Sequence, residues 1–363
     1  MAISKIPSAG ISNASNFRNI IINGDMSIAQ RATSTASITS TGYYTLDRWN
    51  LGLNSMGTFT QSQSTDVPSG QGFANSLKMD CTTADASPAA GDLFLLQHKM
   101  EGQNLQYLKK GTSSAESLTV SFWVKSNKTG TYICQFRDID NSRSISKSYT
   151  IDSASTWEKK TITYAGDTTG AFDNDNGDSL RLVFWLGAGS NYSSGTLATT
   201  WGTEVNANRA VGQVNLADNT ANEFYITGVQ LEAGTSASDF EFLPYDVNLQ
   251  RCQRYYYALL NTGEDNNYFI SGYYYTGSFI YCHTEFPTTM RASPSLVQSS
   301  GTDYYTFYSN GAGDGFDSFN YNITFLTRNA TFGNNTQVSG TGGNAGRVYS
   351  TNTNSYVHFN AEL

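Results

Sequence analysis

The chain has 363 residues, of which only 14% are charged and 13% aromatic, with a formal net charge of −8. Few charges beside abundant Gly, Ser, Thr, Asn and aromatic residues favour sheets over helices. The absence of any Lys/Arg-rich run removes the electrostatic footprint of a nucleic-acid binder. No apolar run of about 18 residues occurs, and no basic region followed by an apolar core opens the chain, so neither membrane insertion nor a signal peptide is expected. All lysines lie at or before Lys160, an asymmetry that suits at least two domains with different surfaces.

Residues 1–18 are small and polar with little periodicity, as expected of an extended arm. Residues 19–30 read as a strand interrupted by the turn-forming trio Asn23-Gly24-Asp25. Residues 43–53, 57–62, 76–79 and 92–99 read as further strands, with Ser/Thr/Gly/Asp stretches between them read as loops. The clearest pair follows. Leu118, Val120, Phe122 and Val124 share one parity, as do Leu180, Leu182, Phe184 and Leu186, so each strand buries four residues against a facing sheet. Between them lie strands at 131–137, 146–151 and 157–164. Residues 188–221 form a long Gly/Ser/Thr/Asn-rich connection containing Trp201; structureless loops of that length are uncommon and often functional.

Residues 223–257 organise the rest. Phe224 and Ile226 share one parity, and the large apolar residues switch to Val229 and Leu231 after Gly228, which predicts a β-bulge. Asp246 is the expected N-cap of a short helical segment. Later strands are expected at 255–260, 268–275, 278–286, 304–308, 319–326 and 348–359. The fold class is all-β: a jelly-roll β-sandwich over 19–245, with about ten short strands and no long helix, followed by a smaller C-terminal β-sandwich over 246–363. No repeat of fixed period is present, which argues against a parallel β-helix.

The strings GVQLEAG (228–234), FEFLPY (240–245) and LQRCQRYY (249–256) resemble the junction of tailed-bacteriophage tail-fibre and virion-fibre proteins. INGDMSIAQR (22–31) and Asp47-Arg48-Trp49 resemble the start of the same module, and Phe286 to Pro294 matches a common fibre pattern. The resemblance covers roughly residues 18–257 and, weakly, the remainder. It implies a carbohydrate-binding-module-like jelly roll in a structural virion fibre protein. It also implies a homotrimer, attachment to a phage tail or capsid protein through the N-terminal arm (residues 1–18), a jelly-roll body with the C-terminal β-sandwich as the trimeric, host-facing tip, and adhesion to host cell-surface glycans. Assembly would be in the host cytoplasm and release by lysis. A capsid-decorating or tail-connecting assembly protein is the alternative, and a polysaccharide depolymerase the least favoured.

Candidate ligand-binding residues are aromatic. Trp123 and Trp185 fall on the parity opposite the core of their strands, where indoles make a platform for the C–H faces of sugars; cover by another element is the competing reading. Trp201, in the long connection, is a third. Tyr273, Tyr274, Tyr275, Tyr304 and Tyr305 put aromatics on both faces of their strands and read either as receptor contacts or as core and subunit interface, so both faces are expected to be partly covered. The acidic run Asp173 to Asp178 fails the EF-hand register and reads as a hairpin turn, as do Asp138 and Asp140. Glu223, Glu232, Asp138 and Asp140 present no recognisable acid/base pair, and no Gly-x-Ser-x-Gly elbow occurs, so no catalytic residue is assigned. Cys81, Cys134, Cys252 and Cys282 are widely spaced, as are His98, His283 and His358, so no metal or other cofactor is expected. Cys134, in YICQF, reads as a buried free thiol.

Overall fold

The computed structural model describes residues 17–363. Most of the expected N-terminal arm, residues 1–16, lies outside the described residues. The chain divides into two units, Met1–Pro244 and Tyr245–Leu363.

The first unit contains β1 (Ser34–Gly42), β2 (Trp49–Ser64), β3 (Ser76–Thr83), β4 (Leu93–Glu101), β5 (Leu118–Ser126), β6 (Gly130–Asp138), β7 (Arg143–Ile151) and β8 (Glu158–Tyr164). These are followed by β9 (Asp178–Ala188), the one-turn helix α1 (Ser190–Ser193), β10 (Gly202–Thr203) and β11 (Glu223–Ala233). All pairing is antiparallel, in the order β10-β7-β6-β9-β4-β2-β3-β11-β5-β8, with β1 alongside β2. β2 serves both layers of the sandwich. Residues 49–54 pair with β4 and residues 58–64 pair with β3. The strand turns between them at Ser55 and Gly57, which have φ of 53° and 74°. A Cβ on Gly57 would lie 2.5 Å from the Thr83 carbonyl oxygen, so the bend needs a glycine there.

The alternating residues of β5 and β9 meet in the core, as their parity predicts. Phe122 packs edge-on to Phe184 at 4.9 Å and to Tyr149 at 5.1 Å, and Phe59 of β2 stacks on Phe94 of β4 at 4.0 Å. These ring pairs join the two layers and add to the ~25 cal/mol per Å² of apolar burial that drives the sandwich together. β11 carries the expected bulge: its register against β5 shifts between Thr227 and Gln230, and Gly228 has φ of 62°.

Several expected elements differ. Residues 19–30 form no strand; they run irregularly and are held by side chains described below. The expected strand at 43–53 begins only at Trp49 and continues as one element to Ser64. The Ser/Thr stretch read as a loop is β1, a strand whose only fully buried residue is Ile38. A strand with so little to bury lacks the alternation by which strands are read. Asp173 to Asp178 leads into β9, but β8 pairs with β5 while β9 pairs with β4 and β6, so the run crosses between layers and is no hairpin turn. Asp138 and Asp140 do lie at the β6–β7 hairpin.

The second unit opens on α2 (Tyr245–Gln253), whose first turn includes Asp246, so this residue lies inside the helix and is not its N-cap. It continues with β12 (Tyr256–Leu260), β13 (Tyr268–Thr276), β14 (Phe279–Glu285), β15 (Ser295–Gln298) and β16 (Tyr305–Ser309). The last strands are β17 (Ala312–Phe316), β18 (Tyr321–Phe325), β19 (Asn329–Asn334), β20 (Ala345–Ser350) and β21 (Val357–Asn360). A sheet of order β12-β21-β15 packs against one of order β17-β16-β20-β13-β14-β19-β18, with Phe332 and Phe359 joining them at 5.6 Å. The single strand expected at 348–359 is two strands, and β15, β17 and β19 lie where no strand is expected; Gly and Asn mask the pattern in β17 and β19, and β15 has only four residues.

Candidate functional site

Trp185 does point away from the main core, yet it is 0% exposed. The long connection after β9 folds back over it. Tyr192 lies 5.5 Å from the indole, the Arg209 guanidinium lies 5.0 Å above it, and Trp185 Nε1 donates to Gln135 Oε1 at 3.1 Å. Leu95, Ile133, Val183 and Ala210 complete a small second core. The connection is fastened by Arg137, which donates to both Glu204 oxygens at 2.6 and 2.7 Å. Burial lowers the Arg209 pKa to about 10, with Arg137 adding to the effect, so the guanidinium stays charged at neutral pH. Trp185 is therefore not an open platform, and the polar connection, expected to be structureless, is its lid.

Trp201, on the same connection, is half-buried and lines a groove of about 360 Å³. Its Nε1 donates to the Ala165 carbonyl at 2.8 Å, which fixes the ring plane. Arg143, Ile145 and Lys147 project into the groove from alternate positions of β7. Arg143 grips Asp167 with two parallel hydrogen bonds of 2.8 and 2.9 Å. Lys110, almost fully buried, lies 2.5 Å from Asp138 and 3.2 Å from Asp167. Burial alone would raise the Asp167 pKa. The Arg143 and Lys110 bonds and the Thr169 amide outweigh it and hold the carboxyl below its ordinary value. Lys147 Nζ donates to the Thr163 carbonyl at 2.6 Å. Thr168, Thr169, Thr199 and Thr200 also line the groove, and their hydroxyls have no partner among the described residues. One fixed indole beside ordered charges and free hydroxyls is the chemistry that holds a sugar ring.

Trp123 is half-buried on the outer face of β5, opposite Thr227 of β11 and Lys159 of β8. It lines a second groove, of about 280 Å³, together with Phe73, Phe240 and Phe242. Farther along this face Trp157 Nε1 donates to Asp66 at 2.9 Å, and Lys125 lies 4.3 Å over the Tyr225 ring. Lys78 holds Glu223 at 2.8 Å, so this carboxylate is engaged in an ion pair. Glu232 accepts from Ser238 and Gln230 and serves structure.

In the second unit strand alternation separates the tyrosines. Tyr274 is 4% exposed and donates to Asp314 at 2.9 Å; Tyr305 is buried and donates to the Tyr356 carbonyl at 2.9 Å. Neither is a surface contact, because their parity faces the core. Tyr304 is half-buried. Tyr273 and Tyr275 are 43% and 56% exposed, so the outer face of β13 is left open by the described residues. Tyr275 stacks on Tyr281 at 4.6 Å, and Phe279 and Tyr321 extend the aromatic strip.

Two of the stretches that carry the fibre resemblance, around Asn23-Gly24 and around Val229 to Glu241, form a clamp. Asn23 Nδ2 donates to the Ile28 and Asp47 carbonyls, its Oδ1 accepts from Ile28, and its carbonyl accepts from Trp49 Nε1. Gly24 pairs with Val229, and a Cβ on Gly24 would lie 2.1 Å from the Val229 oxygen. Glu241 accepts from the amides of Phe17 and Asn19, and Gln230 accepts from the Glu241 amide. The two motifs, some 200 residues apart, are thus two halves of one joint.

Among the described residues no group of three or more His, Cys, Asp and Glu side chains could hold a metal ion. All four cysteines are free and buried, and burial pushes the thiols of Cys134 and Cys282 up to about 12.

No protein-family model matches the chain, and no curated protein matches it. Among solved structures it is similar to the enzymatically active domain of bacteriophage CBA120 tailspike protein 4. The identity there is 14% and the TM-score 0.32, over 60% of this chain and 22% of that one. It is also similar to the TmCBM61 module solved with β-1,4-galactotriose, at 10% identity and a TM-score of 0.30, over 60% and 99%. A third match is the C-terminal family 22 carbohydrate-binding module of Clostridium thermocellum Xyn10B, at 13% identity and a TM-score of 0.27, over 53% and 89%.

Proposed function

We propose that this chain is a non-enzymatic, glycan-binding fibre protein of a bacteriophage virion that recognises its host through the jelly roll. The observation that carries the reading is the Trp201 groove, where a ring held by Ala165 shares one lining with the Arg143–Asp167 pair and with threonine hydroxyls that have no partner among the described residues. A pyranose stacked on the indole would reach these donors and acceptors, and bidentate Arg–carboxylate geometry keeps them pre-organised. The groove's carboxylate, Asp167, is committed to Arg143 and Lys110 and ionises too readily to serve as a general acid, which supports a role without catalysis. The resemblance of residues 22–31 and 228–256 to the fibre module supports the fibre assignment. In this reading residues 1–18 attach the protein to tail or capsid, and the strip at Tyr273, Tyr275 and Tyr321 is covered by neighbouring copies in a homotrimer. Three chains per fibre then raise avidity without new contacts.

Titration of the full chain with cell-surface oligosaccharides tests this. Trp201→Ala is expected to weaken binding about tenfold or more with the fold retained by circular dichroism. Equal binding by this variant would remove the groove from the account. A well-folded oligomer that binds no glycan would make the chain an assembly protein.

A further inference from the structure

The groove at Trp123 has a different chemistry from that at Trp201. Its apolar wall is Phe73, Phe240 and Phe242, whose centroids lie 4.9 to 5.1 Å apart. Trp123 shares the groove with them, and no ring packs against its own among the described residues. The three phenylalanines pack on one another with Phe73 buried beneath, and the aromatic surface left open to the groove is that of Trp123, Phe240 and Phe242. The glycine of the bulge lets Phe73 pack down on the strand, since a Cβ on Gly228 would come within 2.5 Å of the Phe73 ring.

Two ionic groups line the same groove, Lys159 and Asp239, and both are exposed. Neither is paired among the described residues, although the neighbouring lysines are: Lys125 is held by Asp66, Lys78 by Glu223 and Lys160 by Glu158. A neutral sugar would leave both charges idle. A simple cation would meet Lys159, and a simple anion would meet Asp239. A small zwitterion with its charges a few bonds apart complements all three features. Aromatic faces attract quaternary ammonium ions through the ring quadrupole, and a lysine ammonium is a point-charge partner for phosphate.

We propose that this groove binds a phosphocholine group carried as a substituent on a surface polymer. The trimethylammonium lies against Trp123, Phe240 and Phe242 beside Asp239, and the phosphate meets Lys159. At about 280 Å³ the groove suits a head group rather than a long saccharide. The site stands apart from the Trp201 groove: Trp123 lies on β5, in the opposite layer of the sandwich from β7.

Calorimetric titration of the full chain with phosphocholine, choline and phosphoethanolamine tests the proposal. Saturable binding is expected with phosphocholine, weaker binding with choline and the weakest with phosphoethanolamine. Lys159→Ala should reduce phosphocholine affinity to that of choline, and Asp239→Asn should weaken both about tenfold. Trp123→Ala should abolish binding. Phe242→Ala should weaken it with the fold retained, because that ring is 50% exposed. Trp201→Ala should change nothing, which separates failure here from failure of the glycan reading. No saturation by phosphocholine in the folded protein, or an affinity unchanged by Phe242→Ala and Trp123→Ala, would overturn the site. Co-sedimentation with phosphatidylcholine vesicles would overturn the polymer as the source.

Discussion

Asp167 shows how one side chain sets the working range of the Trp201 groove. Its folded-state pKa is depressed below the ordinary 3.8 by Arg143, Thr169 and Lys110 despite burial. A depressed acid contributes stability that is fully present above its unfolded pKa and is lost as pH falls through the folded value. Melting temperature and glycan affinity are therefore expected to stay flat from pH 8 to about 5, with any loss from this group below about 4. A midpoint near pH 6 in either quantity would contradict the assignment. Asp167→Asn removes the charge-assisted bonds to Arg143 and Lys110 and is expected to cost about 2 kcal/mol, read by denaturant titration. Gly24→Ala forces a Cβ against the Val229 oxygen and is expected to destabilise the first unit by about 2 kcal/mol without altering the residues of either groove.

Elements with strong alternation were legible from residue order, and those held by side chains were not. β5 and β9 carry four buried residues each at spacing two, and Gly228 marks the bulge through the change of parity around it. Residues 19–30 have similar apolar content but follow Asn23 and Asp47, whose side-chain hydrogen bonds replace a strand partner. No periodicity records that. The same limit applied to the candidate site. Parity placed Trp123 and Trp185 outside the main core, but whether an outer face stays open depends on where a polar connection lands. The lid over Trp185 hangs on Arg209 and the Arg137–Glu204 pair. Removing a buried charge partner is costly, so Arg209→Ala is expected to destabilise by about 3 kcal/mol. It should also red-shift tryptophan emission as Trp185 meets water. Unchanged emission would mean that the connection stays down without Arg209. Arg143, Lys147 and Asp167 could not be read as groove residues, because β7 and the 165–169 segment are brought to Trp201 only by the fold.

At the scale of the whole molecule, each unit has its own hydrophobic core, and the Trp201 groove lies entirely within Met1–Pro244. A chain ending at Pro244 is expected to fold cooperatively and keep glycan binding at each site, while losing any avidity that oligomerisation through the second unit provides. The most direct test of the account is a glycan array probed with the full chain, the Pro244 truncation and Trp201→Ala, each checked for mass by light scattering. The full chain should bind a defined set of glycans and the truncation the same set more weakly, with the signal lost in Trp201→Ala. Binding that survives Trp201→Ala and vanishes on truncation would contradict it and move recognition to the tyrosine face of the second unit.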